Sequence, residues 1–195
     1  MGPHRTHQRG GRRDGPITRA DSTSAYGPIW YWTTVDSASR TPAYRGLVSA
    51  TRIAIDETEL DADGVVALLT DAVGTEDRDR LDVALLPYRT GSAALAVARS
   101  SRLPVGVIGY SAAPDRITLL HLATDPHYRQ SGIGTALIHW VHARHPSIPL
   151  VAETDADAVR FYEKTGFTGT SLGEKYPGVE RFLVRRPPAR CSPRR

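Results

Sequence analysis

The sequence has a single cysteine, Cys191, which excludes an internal disulfide. Because Cys191 lies in a Pro/Arg-rich tail, the sequence also argues against a thiol nucleophile held in a structured cleft. No run of about 18 apolar residues is present, and residues 1–20 lack an apolar stretch that could form a signal-peptide core. These absences predict a soluble, cytoplasmic protein that makes no use of a membrane.

Lysine is also scarce, with two lysines among 25 basic residues, and the basic charge is concentrated at the two ends of the chain. Residues 1–20 carry a net charge of +4 and residues 185–195 carry +5, so the overall +4 leaves −5 for the residues between them. A folded nucleic-acid reader needs a basic face, which an acidic body does not supply. The sequence therefore predicts no nucleic-acid partner for the folded part of the chain.

Three segments are predicted from these patterns. Residues 1–46 are rich in Gly, Arg and Ser and lack an apolar period, which predicts a mostly disordered basic extension with one short aromatic patch, Ile29–Trp32. Residues 47–186 are expected to form one domain, because 40% hydrophobic residues in a chain of 195 suffice for a single core. Residues 187–195 are predicted to be a second disordered basic tail.

Hydrophobic periodicity within residues 47–186 predicts an α/β fold, in which helices cover both faces of a mixed, mostly antiparallel sheet. Alternating runs predict an initial strand, then a three-stranded antiparallel meander, then a buried strand and a final hairpin. These strands are placed at residues 51–55, 93–99, 105–110, 117–124, 150–152, 167–172 and 179–184. Helices are predicted at 59–73, at 76–86 with Pro87 ending it, at 132–145, and at 154–165 with Thr154 or Asp155 as the N-cap.

A glycine-rich turn joins the strand ending at Thr124 to the helix that begins near Gly132. Such a turn directs successive backbone N–H groups, and the positive end of the helix, toward one small concavity that suits a phosphate. A lone G-x-G is weak by itself, and without further context an ordinary strand-to-helix turn is the favoured interpretation. No Gly-Lys-Ser/Thr follows, which excludes a Walker loop, and the missing third glycine argues against a dinucleotide fingerprint.

Two motifs in this order resemble the Gcn5-related N-acetyltransferase (GNAT) superfamily. Arg129-x-x-Gly132-x-Gly134 matches the pyrophosphate loop of that family, Arg/Gln-x-x-Gly-x-Gly/Ala. The run from Ala158 through Phe161 and Tyr162 to Gly166-Phe167 is similar to its second motif. The resemblance covers about residues 51–186, and the joint occurrence is more specific than either motif alone.

The resemblance implies acetyl-CoA as the co-substrate and no metal. In that family two neighbouring strands diverge, here 117–124 and 150–152, and acetyl-CoA lies in the resulting wedge with its pyrophosphate at the helix N-terminus. The resemblance also implies which residues contact acetyl-CoA, at the end of strand 117–124 and in the glycine-rich turn and helix start that follow it: Leu122, Ala123, Thr124, Arg129, Gln130, Ser131, Gly132, Ile133, Gly134 and Thr135. His139, His142 and His145 are interpreted as a polar helix face rather than a metal site.

Two side chains are predicted to be catalytic. Tyr162 occupies the position at which the family usually has the acid for the leaving thiolate, although packing beside Phe161 is the alternative. The strand-four glutamate of many members is replaced by Thr118, so the base is expected to be Glu153, with a solvated or cap-supporting role as its alternative. His121 is interpreted as a packed histidine, because strand alternation places it opposite Thr118, Leu120 and Leu122.

The function that the resemblance implies is transfer of an acetyl group to the primary amine of a small molecule or peptide. An acidic body favours a cationic amine over an acidic acceptor. Two alternatives remain at this point: a non-catalytic acyl-CoA-binding or regulatory module, and a nucleic-acid-associated protein acting through its basic tails. The sequence leaves the oligomeric state open, a homodimer included.

Overall fold

The computed structural model describes residues 53–74 and 77–189. The strands and helices of this part of the chain follow one another in the predicted order. In chain order the elements are β1 Ile53–Thr58, α1 Val65–Val73, α2 Arg78–Arg89, β2 Ala94–Ser100, β3 Leu103–Ala112, β4 Ile117–Thr124, α3 Ile133–Arg144, β5 Leu150–Asp155, α4 Ala156–Lys164, β6 Thr168–Tyr176 and β7 Val179–Arg186.

The seven strands form one sheet in the order β1-β2-β3-β4-β5-β7-β6. All neighbouring pairs are antiparallel except β4 and β5, which run parallel. The chain reaches β5 from β4 through α3, the crossover that a parallel pair requires. The predicted mixed, mostly antiparallel sheet with a central meander is confirmed.

Each face of the sheet is covered by two helices, and each has its own apolar cluster. α1 and α2 cover one face, where Leu69, Leu85 and Val107 are almost completely buried. α3 and α4 cover the other, where Leu137 and Ile138 have no exposed surface. Full burial of one such side chain contributes about 1.5–3 kcal/mol, so both helical layers are held mainly by apolar contact.

Two predicted helix boundaries are wrong. The first helix begins at Val65 rather than at residue 59. Pro87 does not end the second helix, because α2 continues through it to Arg89. The N–H of Thr90 donates to the carbonyl of Leu86 at 3.0 Å and closes the last turn. Tyr88, in that turn, is 9% exposed, so its burial favours the helical path although proline cannot donate a backbone hydrogen bond.

The N-cap of the fourth helix is confirmed as Asp155, one of the two predicted residues. Its Oδ1 accepts from the N–H of Asp157 at 3.1 Å and of Ala158 at 2.9 Å. These bonds satisfy two of the donors that an α-helix leaves unpaired at its start.

The predicted disordered segments lie at the ends of the chain, and residues 1–46 and 190–195 are outside the described residues. The domain limits at 47 and 186 stay predictions. Within the described ranges, none of the helices has the length and hydrophobicity needed to span a bilayer.

Candidate functional site

A gap opens in the middle of the sheet between its two parallel strands. β4 and β5 are paired at two positions, Ile117↔Leu150 and Thr118↔Val151. β4 then continues to Thr124 and β5 to Asp155, where β5 pairs with β7 on its other side. Beyond Thr118 the facing edges of β4 and β5 are thus unpaired with each other, so the backbone groups along the gap are open to a ligand.

The loop that follows β4 ends in a helix whose start carries no side-chain cap. Asp125 accepts a hydrogen bond from the N–H of His127 at 2.8 Å and begins a single 3-10 turn, Pro126–Tyr128. Gln130 and Gly132 then adopt left-handed backbone conformations, with φ of 61° and 85°. Gly132 is the N-cap of α3 without a side-chain cap hydrogen bond, so the first N–H groups of α3 are left for an anionic ligand.

Helices α3 and α4 approach each other closely at Gly134. A Cβ atom built on Gly134 would lie 3.2 Å from Cζ of Phe161 and 3.8 Å from Cδ2 of Leu122. A methyl group at that position would be in tight contact with the Phe161 ring, and any larger side chain would have to displace it. The second glycine of the loop therefore permits α4 to pack near the helix start.

These elements enclose a cleft of about 730 Å³, which is in the size range of cofactor sites. Nine of the ten predicted acetyl-CoA contacts line it: Leu122, Ala123, Thr124, Arg129, Gln130, Gly132, Ile133, Gly134 and Thr135. Ser131 does not line the cleft, and its hydroxyl donates to the backbone carbonyl of Tyr128. The structure thus brings the predicted set together at one place, while its contact with acetyl-CoA stays a prediction.

Tyr162 lies beneath this cleft, in the core between α4 and the sheet. Its side chain is 3% exposed. The centroid of its ring lies 5.3 Å from that of Phe161 and 5.2 Å from that of Phe167, both in edge-on geometry. Burial raises the pKa of its hydroxyl strongly; Asp155 raises it further, and Arg181 opposes the shift. The hydroxyl is therefore protonated at neutral pH, and the packing role of the ring is present whether or not the hydroxyl also acts as an acid.

Glu153 lies on β5, on the side of the sheet opposite α4, and contacts two cations. Its Oε1 is 3.2 Å from Nε of Arg181 on β7, and both of its carboxylate oxygens are 3.2 Å from Nζ of Lys175 on β6. Arg181 also approaches Asp155, with Nη1 4.0 Å from Oδ2. Glu153 is thus a partly buried carboxylate in a four-residue cluster of charged side chains rather than a solvated acid.

Known proteins resemble this chain both in sequence, over most of the residues that form the cleft, and in fold. The sequence matches the family model described as "Acetyltransferase (GNAT) domain" over residues 91–169, from just before β2 through the cleft loop to the start of β6. That range contains both motifs and the two strands that diverge. Residues 91–169 therefore match the GNAT acetyltransferase domain, the family that the two motifs resemble.

Solved structures share this GNAT fold at low sequence identity. The ribosomal-protein-S18-alanine N-acetyltransferase of Escherichia coli is 17% identical, with a TM-score of 0.59 over 74% of this chain and 99% of that one. A GNAT family acetyltransferase of Elizabethkingia anophelis with acetyl-CoA bound is 18% identical, with a TM-score of 0.54 over 69% and 97%.

A third structure, the PaiA N-acetyltransferase of Thermoplasma acidophilum in complex with coenzyme A, is 15% identical, with a TM-score of 0.52 over 70% and 99%. No curated protein sequence matches the chain. The likenesses therefore establish the fold and leave the acceptor of this GNAT domain open.

His121, on β4 of the GNAT domain, faces α2 and is bonded to it. Its Nδ1 is 2.6 Å from the hydroxyl of Tyr88, which sits directly over Gly109, where a Cβ atom would be 1.9 Å from that oxygen. Burial lowers the pKa of His121 to about 4, so the imidazole is neutral at pH 7. The interpretation of His121 as a packed histidine agrees with this contact.

The predicted alternation around His121 holds for Leu122 but not for Thr118 or Leu120. Ile117 and Leu119 pack under α3 and α4, so Thr118 between them lies on the same side as His121. A register shift opposite Gly109 and Tyr110 leaves Leu120 without a partner in β3. Leu120 packs with the cluster under α1 and α2, on the same side as His121, while Leu122 packs under α3. The bulge adds one residue to β4, which ends the strict alternation on which the expectation rested.

Sequence reasoning missed several residues of the cleft. Asp157, Ala158, Phe161 and Lys164 of α4 line it, and their spacing marks one face of a helix, a signal that the sequence contains. Asp71 and Ala72 of α1 also line it. No local signal points to those two residues, because α1 reaches the cleft only through the packing of the sheet.

Proposed function

We propose that this GNAT domain transfers the acetyl group of acetyl-CoA to a primary amine by direct attack of the amine on the thioester. The observation that carries the proposal is the uncapped start of α3, which faces a cleft lined by nine residues of the predicted contact set. A pyrophosphate is the kind of anion that such a helix start binds, and the adjacent guanidinium of Arg129 adds positive charge. The gap between β4 and β5 gives the rest of the molecule a path into the sheet.

The residues of the chain fit such a co-substrate. Leu122, Ala123 and Thr124 line the cleft along the free edge of β4, where backbone groups are open to hydrogen bonding. Gly134 lets the ring of Phe161 pack against the start of α3, and both residues line the cleft. Acetyl-CoA, when bound, supplies an activated acetyl group as a thioester.

Two side chains are assigned roles in proton transfer. The hydroxyl of Tyr162 is held protonated by burial, so it can donate to a developing thiolate at neutral pH. Glu153 lies beside the gap on the opposite side of β5, in contact with Arg181 and Lys175, and its carboxylate is the proposed acceptor of a proton from the attacking amine through a water molecule. The proposed acid and base therefore lie on opposite faces of the sheet, Tyr162 in the core under α4 and Glu153 on the other side of β5.

A thioester-cleavage screen tests the proposal. The full-length protein is incubated with acetyl-CoA and a panel of primary amines, including diamines, aminoglycosides, arylalkylamines and peptides with free N-termini, and released CoA is measured. We expect amine-dependent cleavage with at least one class. Tight acetyl-CoA binding without cleavage by any amine of the panel would instead indicate a non-catalytic acyl-CoA-binding module.

A further inference from the structure

The two cations that contact Glu153 differ sharply in exposure. The side chain of Arg181 is 4% exposed, so this guanidinium is a fixed part of the folded structure. The side chain of Lys175 is 39% exposed, although its ammonium contacts both carboxylate oxygens at 3.2 Å. Glu153 itself is 19% exposed. One of its partners is therefore permanent, and the other is within reach of solvent.

The charges of this cluster balance only while Lys175 is in place. Glu153 and Asp155 contribute two negative charges, and Arg181 and Lys175 contribute two positive charges. If Lys175 leaves, one net negative charge remains around a half-buried carboxylate. A charge in that position requires compensation, so the cluster favours any second cation that can reach Glu153.

Lys175 is held by a part of the chain that can release it at little cost. It lies near the end of β6, at a register irregularity between Glu174 and Tyr176, and is not one of the residues paired with β7. A bulge of this kind redirects one side chain without changing the rest of the ladder. An ion pair with a partly exposed lysine contributes little stability, because water replaces the contact.

Glu153 also lies where an acceptor amine would enter. Glu153 lies two residues after Val151, where the pairing of β5 with β4 ends. Because side chains alternate along a strand, Glu153 points to the same face of the sheet as Val151. Leu150 and Ala152 point the other way, into the core under α3 and α4. Leu183, the cross-strand neighbour of Glu153, is 42% exposed, so an apolar surface adjoins the carboxylate.

We infer that Glu153 is the binding site for a cationic primary amine, and that the ammonium of Lys175 occupies this site until the acceptor displaces it. This inference rests on the proposed function, since it names the substrate class for the same site. The acceptor binds through its ammonium group to Glu153 and through its hydrocarbon part to Leu183. Lys175 thereby sets a threshold: a cation that binds Glu153 better than a solvent-exposed lysine displaces it, whereas a neutral molecule gains nothing from this carboxylate.

The test compares three variants in binding and in turnover. Lys175→Met keeps the apolar stem and removes the charge, Lys175→Arg keeps a cation, and Glu153→Gln removes the anion. Lys164→Met, at the only other lysine of the chain, is the matched control on the acetyl-CoA side. Spermidine is the cationic probe, and aniline, which is neutral at pH 7, is the uncharged probe. Binding is measured by calorimetry in the presence of CoA, and turnover by CoA release.

We expect Lys175→Met to tighten spermidine binding and lower its KM about two- to fivefold, because the competing ion pair is lost. Lys175→Arg should remain near the wild-type value. Glu153→Gln should weaken spermidine binding about tenfold or more. Aniline binding should be unchanged in all three, and Lys164→Met should alter acetyl-CoA affinity without altering that of spermidine.

Unchanged or weaker spermidine binding in a folded Lys175→Met variant would overturn the inference, whether or not any amine is acetylated. Absence of CoA release together with the expected order of spermidine affinities would instead refute the proposed function and leave the cation site standing. Circular dichroism establishes that each variant is folded, and unchanged acetyl-CoA affinity supports this for the Lys175 and Glu153 variants.

Discussion

The candidate cofactor cleft and the opposite side of β4 and β5 are built in different ways. The cleft is formed largely by one continuous segment, from Leu122 to Thr135, in which backbone groups and glycines dominate. The opposite side consists of side-chain pairs that join distant residues, such as Tyr88 with His121 and Lys175 with Glu153. A backbone site can thus be recognised from a short motif, whereas a side-chain site depends on the register of several strands.

The largest effect is expected on stability, from the buried pair of Tyr88 and His121 on the side of the sheet opposite the cleft. His121 has a folded pKa of about 4 and an ordinary value near 6.5 in the unfolded chain. Between these values the unfolded chain binds a proton that the native protein does not, so stability is complete above pH 6.5 and falls as the pH drops toward 4. We expect the free energy of unfolding to decrease by about 3 kcal/mol across this window through His121 alone.

Denaturant unfolding of the wild type and of His121→Gln at several pH values measures this contribution. Carboxylates titrate in both proteins, so the difference between the two curves isolates the histidine. If the free energies of unfolding of the two proteins fell in parallel from pH 7 to pH 4, His121 would not be held neutral by burial. The pair of Tyr88 and His121 would then no longer distinguish this side of the sheet from the cleft.

The next largest effect tests whether Tyr162 serves the cleft or only the core. Tyr162→Phe keeps the ring contacts with Phe161 and Phe167 and deletes the hydroxyl. If the hydroxyl protonates the leaving thiolate, kcat should fall on the order of 10²-fold, with little change in acetyl-CoA affinity. Steady-state kinetics and calorimetry measure the two quantities.

Phe161→Leu is a packing control for that experiment, because it disturbs the neighbouring ring without touching the hydroxyl. A folded Tyr162→Phe protein with the wild-type kcat at every pH would mean that the hydroxyl is idle. Tyr162 would then belong to the core alone, and the acid would be another group or bulk water.

A smaller effect separates charge from shape at the start of α3. Gly134→Asp introduces a carboxylate where the cleft is predicted to hold an anion, and should weaken acetyl-CoA binding at least tenfold. Gly134→Ala introduces only a methyl group, 3.2 Å from the ring of Phe161, and should have the milder effect. Calorimetry on both folded variants gives the two affinities, and equal losses would point to crowding rather than to an anion site.

The smallest effect is expected from removing the chain ends. A protein reduced to residues 46–187 retains every strand and helix of the described fold. It should therefore keep acetyl-CoA affinity and turnover close to the full-length values, while any salt-sensitive binding of nucleic acid by the tails should vanish. Unfolding or aggregation of the shorter protein would assign the aromatic segment Ile29–Trp32 to the core or to a contact between copies.

The sequence by itself determined the elements and the cleft, because both follow from local rules. Apolar periodicity placed β4 at its observed limits, and the chemistry of helix ends narrowed the cap of α4 to Thr154 or Asp155 and marked the turn before α3 as a candidate anion site. These signals lie within a few residues of the structure they specify. The pairing of the two motifs was enough to predict the fold and nine of the residues that line the cleft.

Only the tertiary structure decided what surrounds the candidate catalytic residues. The bulge in β4 put Leu120 and His121 on one side, and the order β5-β7-β6 brought Arg181 and Lys175 to Glu153 from 28 and 22 residues away. The packing of α2 kept Pro87 inside a helix that its sequence would have ended. Such contacts depend on strand register and on burial summed over the whole domain, and no short stretch of sequence contains that information.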